Sequence, residues 1–203
     1  MTKKSAPPQL AILTFATRVE FAAWLGKEHA KTPGVWLRLA KKAADEKTVS
    51  YAEALDVALC WGWIDGHKKP LDDVAWLQKF TPRGPRSIWS KINCGKAEAL
   101  IASSAMRPPG LAAIALAKND GRWDAAYASQ SRATVPDDLQ HALDADAKAK
   151  AFFATLSSAN RYAVLFRVAT VKRAETRAKR IAQFVTMLAE ERTFHPQKVK
   201  PSA

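Results

Sequence analysis

Cysteine, histidine and glycine are all scarce in this 203-residue chain. Two cysteines, Cys60 and Cys94, cannot build a disulfide framework, and four scattered histidines offer no zinc-ligand spacing, so no metal is expected. Glycines do not gather into a phosphate loop or a dinucleotide fingerprint, and G-x-S-x-G is missing, so no cofactor is expected and catalysis has no support. Long apolar runs are missing too. The N-terminal "LAILTF" is short and Glu20 closes it off, which argues against a signal peptide or a membrane helix and makes the cytoplasm the expected location. Acidic residues are few: 19 stand against 32 lysines and arginines, a net charge of +13 and a pI near 9.9. Such a balance favours an anionic partner, whether nucleic acid, acidic lipid or a phosphorylated small molecule, the alternative being a basic protein with solvated lysines. The charge is densest near the end, where residues 151–203 hold ten basic and three acidic side chains.

What the chain does have is apolar and aromatic. Hydrophobic residues make up 48%, with seven tryptophans, enough for a real core. Thr17 and Glu20 have capping-box spacing ahead of Phe21, Trp24 and Leu25, which predicts a first helix from about Arg18 to Ala30, ended by Pro33-Gly34. In "VWLRLAKK", Val35, Leu37 and Leu39 alternate with Trp36 and Arg38 as in a strand with one buried face. Ser50 and Glu53 repeat the capping box before Tyr51, Leu55, Ala58 and Leu59. Gly62 then suits the left-handed residue that ends a helix, with Trp63-Ile64 a short strand and "VAWLQKF" a second one returning beside it.

From Ser87 the pattern turns helical through Trp89, Ile92, Ala97 and Leu100, and a further helix stops at Gly121. Beyond Pro136 all is helical, with Tyr162, Leu165 and Phe166 expected to pack on Ile181, Val185 and Leu188. The expected organisation is an α+β domain over 10–121, a linker over 122–136 pinned by Trp123 and Tyr127, a helical domain over 137–192 and a disordered tail over 193–203. The fold class is α+β: a small antiparallel sheet packed with helices, followed by a compact C-terminal helical bundle.

Two stretches carry the chemistry. In "FTPRGPRSIWSKIN", Pro82 and Pro85 stiffen a loop, and Ser87 stands where an N-cap would, aiming free N–H groups at a space lined by Arg83, Arg86 and Lys91. Ser90 and Asn93 share a helical face and Trp89 adds an apolar wall, the outline of a small-anion site. In "ALCWGWIDG", Trp63 and Asp65 fall on one strand face beside the strand that delivers Thr81 and Arg83, so Asp65 could pair with Arg83 or Arg86. The alternative is purely structural: a capping Ser87, solvated arginines, and tryptophans that only pack. Cys60 reads as a buried apolar residue, and His67 beside Asp65 is a conceivable acid–base pair. On the C-terminal "KRAETRAKRI", Arg173, Arg177 and Arg180 recur at i, i+4, i+7 and form a basic stripe that could track the phosphates of a nucleic acid or be a solvated face.

The order of "ALCWGWIDG", "FTPRGPRSIWSKIN", the Met106 to Leu111 turn, "AKNDGRWDAAY" and "AETRAKRI" resembles the YdeI/OmpD-associated family, the bacteriocin-protection proteins, from about residue 10 to 192. The resemblance implies an α+β N-terminal part, a compact helical C-terminal part and a role in protection or stress resistance, with no established reaction. The chain departs from the family pattern at Gly84, where a second basic residue usually follows Thr-Pro-Arg, and at Ser104-Ala105 before the Met turn.

Overall fold

The computed structural model describes residues 9–197. The described residues form two compact units, one running through Trp89 and resuming at Asn93–Asp124, the other built from Ser90–Ile92 and residues 125–197. In order, the elements up to the break are β1 (Ile12–Leu13), α1 (Arg18–Glu28), β2 (Val35–Ala40), α2 (Tyr51–Cys60), β3 (Trp63–Pro70), β4 (Ala75–Pro82), α3 (Lys91–Ala102) and α4 (Pro108–Asn119). Both capping signals work as the spacing requires: the Thr17 hydroxyl accepts the Glu20 N–H, and Ser50 and Glu53 close a full capping box.

The sheet runs β1-β2-β4-β3. β4 pairs antiparallel with both β2 and β3, but β1 joins β2 in parallel, so the sheet is mixed rather than wholly antiparallel. Two residues are too few to show any alternation, which is why β1 left no trace in the pattern. The fold class is α+β all the same. Strand period two sorts the sheet into two faces. On one, Val35, Leu37 and Leu39 stand opposite Phe80, Gln78 and Trp76, with Trp63 and Asp65 continuing the row on β3. Helices α1 and α2 cover that face: Phe21 meets Phe80 at 5.9 Å, Trp24 meets Trp63 edge-on at 6.0 Å, and Tyr51 meets Trp76 at 6.0 Å. Each large side chain removed from water here contributes about 1.5–3 kcal/mol before conformational entropy is counted.

β3 is longer than its two apolar residues suggest, because a bulge lets it follow β4 to Pro70: Asp65 faces Phe80 but Lys68 already faces Gln78. Gln78, 3% exposed in the central strand, holds the bulge by donating its amide N–H to the Gly66 carbonyl at 2.9 Å and the Lys79 carbonyl at 3.2 Å.

The "WGW" corner is packed backbone to backbone. Gly62 takes a left-handed φ of +70°, and a Cβ there would stand 2.7 Å from the Pro109 carbonyl oxygen. From the other side, a Cβ on Gly110 would collide with the Cys60 carbonyl and lie 2.8 Å from that of Leu59. The Arg107 N–H donates to the Cys60 carbonyl at 3.2 Å, tying the start of α4 to the end of α2. Trp63 is core, 1% exposed, with its indole N–H on the His29 carbonyl at 3.2 Å.

The second unit contains a 3₁₀ turn (Gln130–Arg132), α5 (Asp137–Asp144), α6 (Ala147–Thr155), α7 (Ser158–Ala169) and α8 (Ala174–Ala189). Asp146 caps α6 through the Ala149 N–H and so splits the 137–156 stretch in two. Leu139, Leu143, Phe153, Val164, Leu165, Val168, Ile181, Phe184 and Leu188 form the core. Tyr162 and Phe166 do not join it as expected. Phe166 meets Tyr127 edge-on at 5.0 Å and the Tyr162 hydroxyl donates to the Ala128 carbonyl at 3.0 Å, so both hold the incoming segment instead. Part of the supposed tail is ordered as well. Buried Asn160 takes the His195 N–H at 2.9 Å and returns a bond to the His195 carbonyl at 3.0 Å, while Phe194 packs on Phe184. Residues 198–203 lie outside the described residues. Among the described residues no helix is long and apolar enough to cross a membrane.

The corner makes a direct prediction. Gly110→Ala should destabilise the protein by about 1–3 kcal/mol through overpacking against carbonyl oxygens. Gly95→Ala, on α3 with nothing within 4 Å of the added carbon, should be neutral or stabilising by up to about 1 kcal/mol. Urea midpoints measure both, and equal shifts would contradict the packing described.

Candidate functional site

The last ladder contact of β4 is the Arg83 N–H on the Gly62 carbonyl at 2.9 Å, and there the proline-stiffened loop begins. Gly84 and Ser87 close a tight turn: the Ser87 N–H donates to the Gly84 carbonyl at 3.0 Å, and the Gly84 N–H to the Ser87 hydroxyl at 2.9 Å. This corrects the expectation that Ser87 caps a helix. α3 starts four residues later, because the serine oxygen is taken up by its local turn, the competition that short hydroxyl side chains offer a helix.

Arg83 lies flat on Trp89, its guanidinium carbon 3.5 Å from the ring centroid, with one N–H on the Ile88 carbonyl at 3.2 Å. Trp89, 2% exposed, packs in turn on Trp123 at 4.9 Å, and Lys118 approaches the far ring at 5.2 Å. Arg122 ties the loop down by donating to the Ser87 carbonyl at 2.7 Å while the Asp120 carboxylate holds its Nε at 2.7 and 2.8 Å. Asp120, Arg122 and their role as a clamp were not foreseen. "NDGRWD" has no periodicity, and only Trp123 stood out as a pin.

The other candidates disperse. Trp63 and Asp65 share the helix-covered face, and Asp65 accepts the Tyr51 hydroxyl at 2.8 Å. Thr81, paired with Ile64, stands on the opposite face, as period two demands, so it cannot join Trp63 and Asp65 in one pocket wall. Ser90 is nearly buried and forms a parallel bridge with Tyr127, and Asn93 is 8% exposed within α3. Arg86 stays exposed, on the same turn as Arg83.

Two cavities have other linings. One of about 390 Å³ is lined by Lys41, Lys68, Lys69, Pro70 and Trp76, and one of about 600 Å³ lies between α5 and α8 beside Asp138, Arg177 and Ile181. Among the described residues no three His, Cys, Asp or Glu gather as metal ligands. Burial pushes the thiols of Cys60 and Cys94 up, the opposite of what a nucleophilic cysteine needs.

The basic stripe on α8 is broken in its middle. Arg177 grips Asp138 of α5 with two N–H groups at 2.6 and 2.9 Å and donates a third bond to the Val168 carbonyl at 2.8 Å, which fastens α8 to its neighbours. Those bonds hold the Asp138 carboxyl below the usual aspartate range and push Arg177 further up. Arg173 precedes α8 and is exposed, and Arg180 is half-buried.

Residues 132–191 match the family model described as Bacteriocin-protection, YdeI or OmpD-Associated, and residues 13–113 match a Domain of unknown function (DUF8412). No curated protein and no solved structure matches the chain. The match to the YdeI/OmpD-associated model thus covers helices α5 to α8, whereas the corner and the arginine loop lie within the stretch matching the domain of unknown function.

The Asp138–Arg177 pair sets a pH dependence. Because the folded carboxyl is depressed, its stabilisation is present above the unfolded value of about 3.9 and is lost as pH falls through the folded value. The stability difference between wild type and Asp138→Asn should thus be constant near neutrality and shrink below about pH 4. Arg177→Ala should cost about 1 kcal/mol more than Arg180→Ala, measured by denaturant titration.

Proposed function

We propose that the protein is a cytoplasmic binding module of the YdeI/OmpD-associated, bacteriocin-protection kind, which captures a small anion at the loop bearing Arg83, Arg86 and Ser87. One observation carries this reading: Arg83 is held flat on Trp89 at 3.5 Å and donates to the Ile88 carbonyl, so the plane of its fork is set in advance. Recognition of a carboxylate or phosphate by an arginine depends on that plane, and ordering it beforehand lowers the entropy lost on binding. Arg86 supplies a second cation three residues on, exposed, on a turn that two prolines and the Gly84–Ser87 bonds make stiff, and it makes no ion pair among the described residues. Binding with protection as its outcome needs no catalytic group. The competing reading, nucleic acid along α8, is weakened because Arg177 is engaged by Asp138 and Val168.

Thermal shift in rising inorganic phosphate tests the site. Arg86→Ala, a surface change, should leave the unliganded Tm within about 2 °C of wild type and remove most of the phosphate-induced rise. Arg83→Lys keeps the charge but not the fork, so it should also lose the phosphate response, and it should cost about 1 kcal/mol of stability through the lost stacking. An identical phosphate response in all three proteins would sink the reading.

A further inference from the structure

The second face of the sheet has found no use so far. Where α1 and α2 cover one side, the other carries Trp36, Arg38, Ile64, Lys69, Leu77, Lys79 and Thr81 by register, with Ile12 at its edge. The ring contacts that α1 and α2 make with the sheet, through Phe21, Trp24 and Tyr51, all fall on the first face. Trp36, Arg38, Ile64 and Lys79 are half-buried, Lys69 is exposed, and Ile12 is 52% exposed. Only Leu77 and Ala75, on the central strand, are shut off from water.

We propose that this open face binds single-stranded nucleic acid, with Trp36 as the stacking platform and Lys69 and Lys79 as the phosphate contacts. By register the strand residues on this side include three cations and no carboxylate, and of the cations Arg38 is paired with Glu46 at 2.6 Å. Around Trp36 the cations are close. Lys79 is its cross-strand partner, and the Lys69 ammonium lies 4.6 Å from the indole centroid. An ammonium resting on an indole is worth about 0.5–1 kcal/mol at an exposed site, whereas a base stacked on an aromatic ring is worth about 1–3 kcal/mol. A nucleobase therefore displaces Lys69 from the ring at a net gain, and the freed ammonium is left beside the phosphate of the same nucleotide.

Alternation of ring and cation over a few ångströms is the repeat of a single strand, base then phosphate, and open sheet faces with aromatic residues among cations are a recurrent way to hold one. A duplex hides its base faces and gains nothing from Trp36. The site is separate from the arginine loop, so the two proposals stand or fall independently.

The experiment titrates the full chain with a twelve-nucleotide oligothymidylate, following tryptophan fluorescence and the anisotropy of a labelled strand, at several salt concentrations. The expected result is binding that weakens steeply with salt. Trp36→Leu should lower affinity about tenfold or more and Trp36→Phe should retain most of it. Lys69→Ala and Lys79→Ala should each reduce the slope of log K against log salt by about 0.7, and Arg173→Ala should leave it unchanged. Far-ultraviolet circular dichroism checks the fold of the tryptophan variants, and the two lysine variants keep the test decisive if Trp36 proves structural. Three outcomes would overturn the proposal: lysine variants that bind like wild type, a loss as large in Arg173→Ala as in Lys79→Ala, or a duplex of equal length or phosphatidylglycerol vesicles binding with the same dependence on these lysines.

Discussion

Two stretches of backbone touching without side chains between them set the geometry of the first unit. The Pro109 carbonyl reaches the α-carbon of Gly62, and the Cys60 and Leu59 carbonyls reach that of Gly110, a fit possible only where no Cβ intervenes. From that contact the rest follows in order. Gly62 turns the chain out of α2 in a left-handed conformation, which sends Trp63 into the core beneath α1 and starts β3. The same Gly62 then offers its carbonyl to the Arg83 N–H, so the exit of β4, and with it the arginine loop, is placed by a residue twenty-one positions earlier. A shift at Pro109 would be felt at Arg83 through one glycine.

Positive charge is handled by rings as well as by carboxylates. With acids in short supply, Arg83 lies on Trp89, Lys69 on Trp36, Lys118 on Trp123, Arg161 on Phe153 and Arg167 on Phe194. A π face attracts a cation without bringing a countercharge, so the molecule keeps its net +13 while still ordering individual side chains. The resulting surface is positive and locally rigid, which suits recognition of anions better than a coat of freely moving lysines.

Features that a single residue type enforces were legible in the sequence. Ser50 with Glu53, Thr17 with Glu20, and Gly62 after an apolar helix each have one good physical use, and each has that use in the structure. Strand alternation in "VWLRL" likewise placed Val35, Leu37 and Leu39 inside. Where a residue has two uses the reading failed. Ser87 can cap a helix or close a turn, and a glycine three residues before it decided for the turn. Arg177 can face solvent or find Asp138, which is thirty-nine residues away and invisible to any local pattern. Thr81 and Asp65 are a related case: they lie on neighbouring strands, but cross-strand pairing puts them on opposite faces. β1 and the ordered 193–197 segment were out of reach, since partners elsewhere in the chain, Trp36 and Asn160, hold them.

The bulge between Asp65 and Lys68 is a counting device. Before it, odd-numbered residues of β3 point toward the helices. After it, even-numbered ones do, so Lys68 shares the row of Gln78 and Lys69 passes to the side of Trp36. Nothing in the two lysines distinguishes them. Their assignment rests on one extra residue, kept in place by the amide of Gln78. The same chain paired without the bulge would have the same basic side chains on this hairpin and the opposite allocation: His67 would face Gln78, Lys68 would face Leu77 on the side of the indole, and Lys69 would turn toward the helices. The charge of each sheet face is therefore written in the register, and loss of one residue at Gly66-His67 would regularise the ladder while leaving Lys68 opposite Gln78 and Lys69 opposite Leu77.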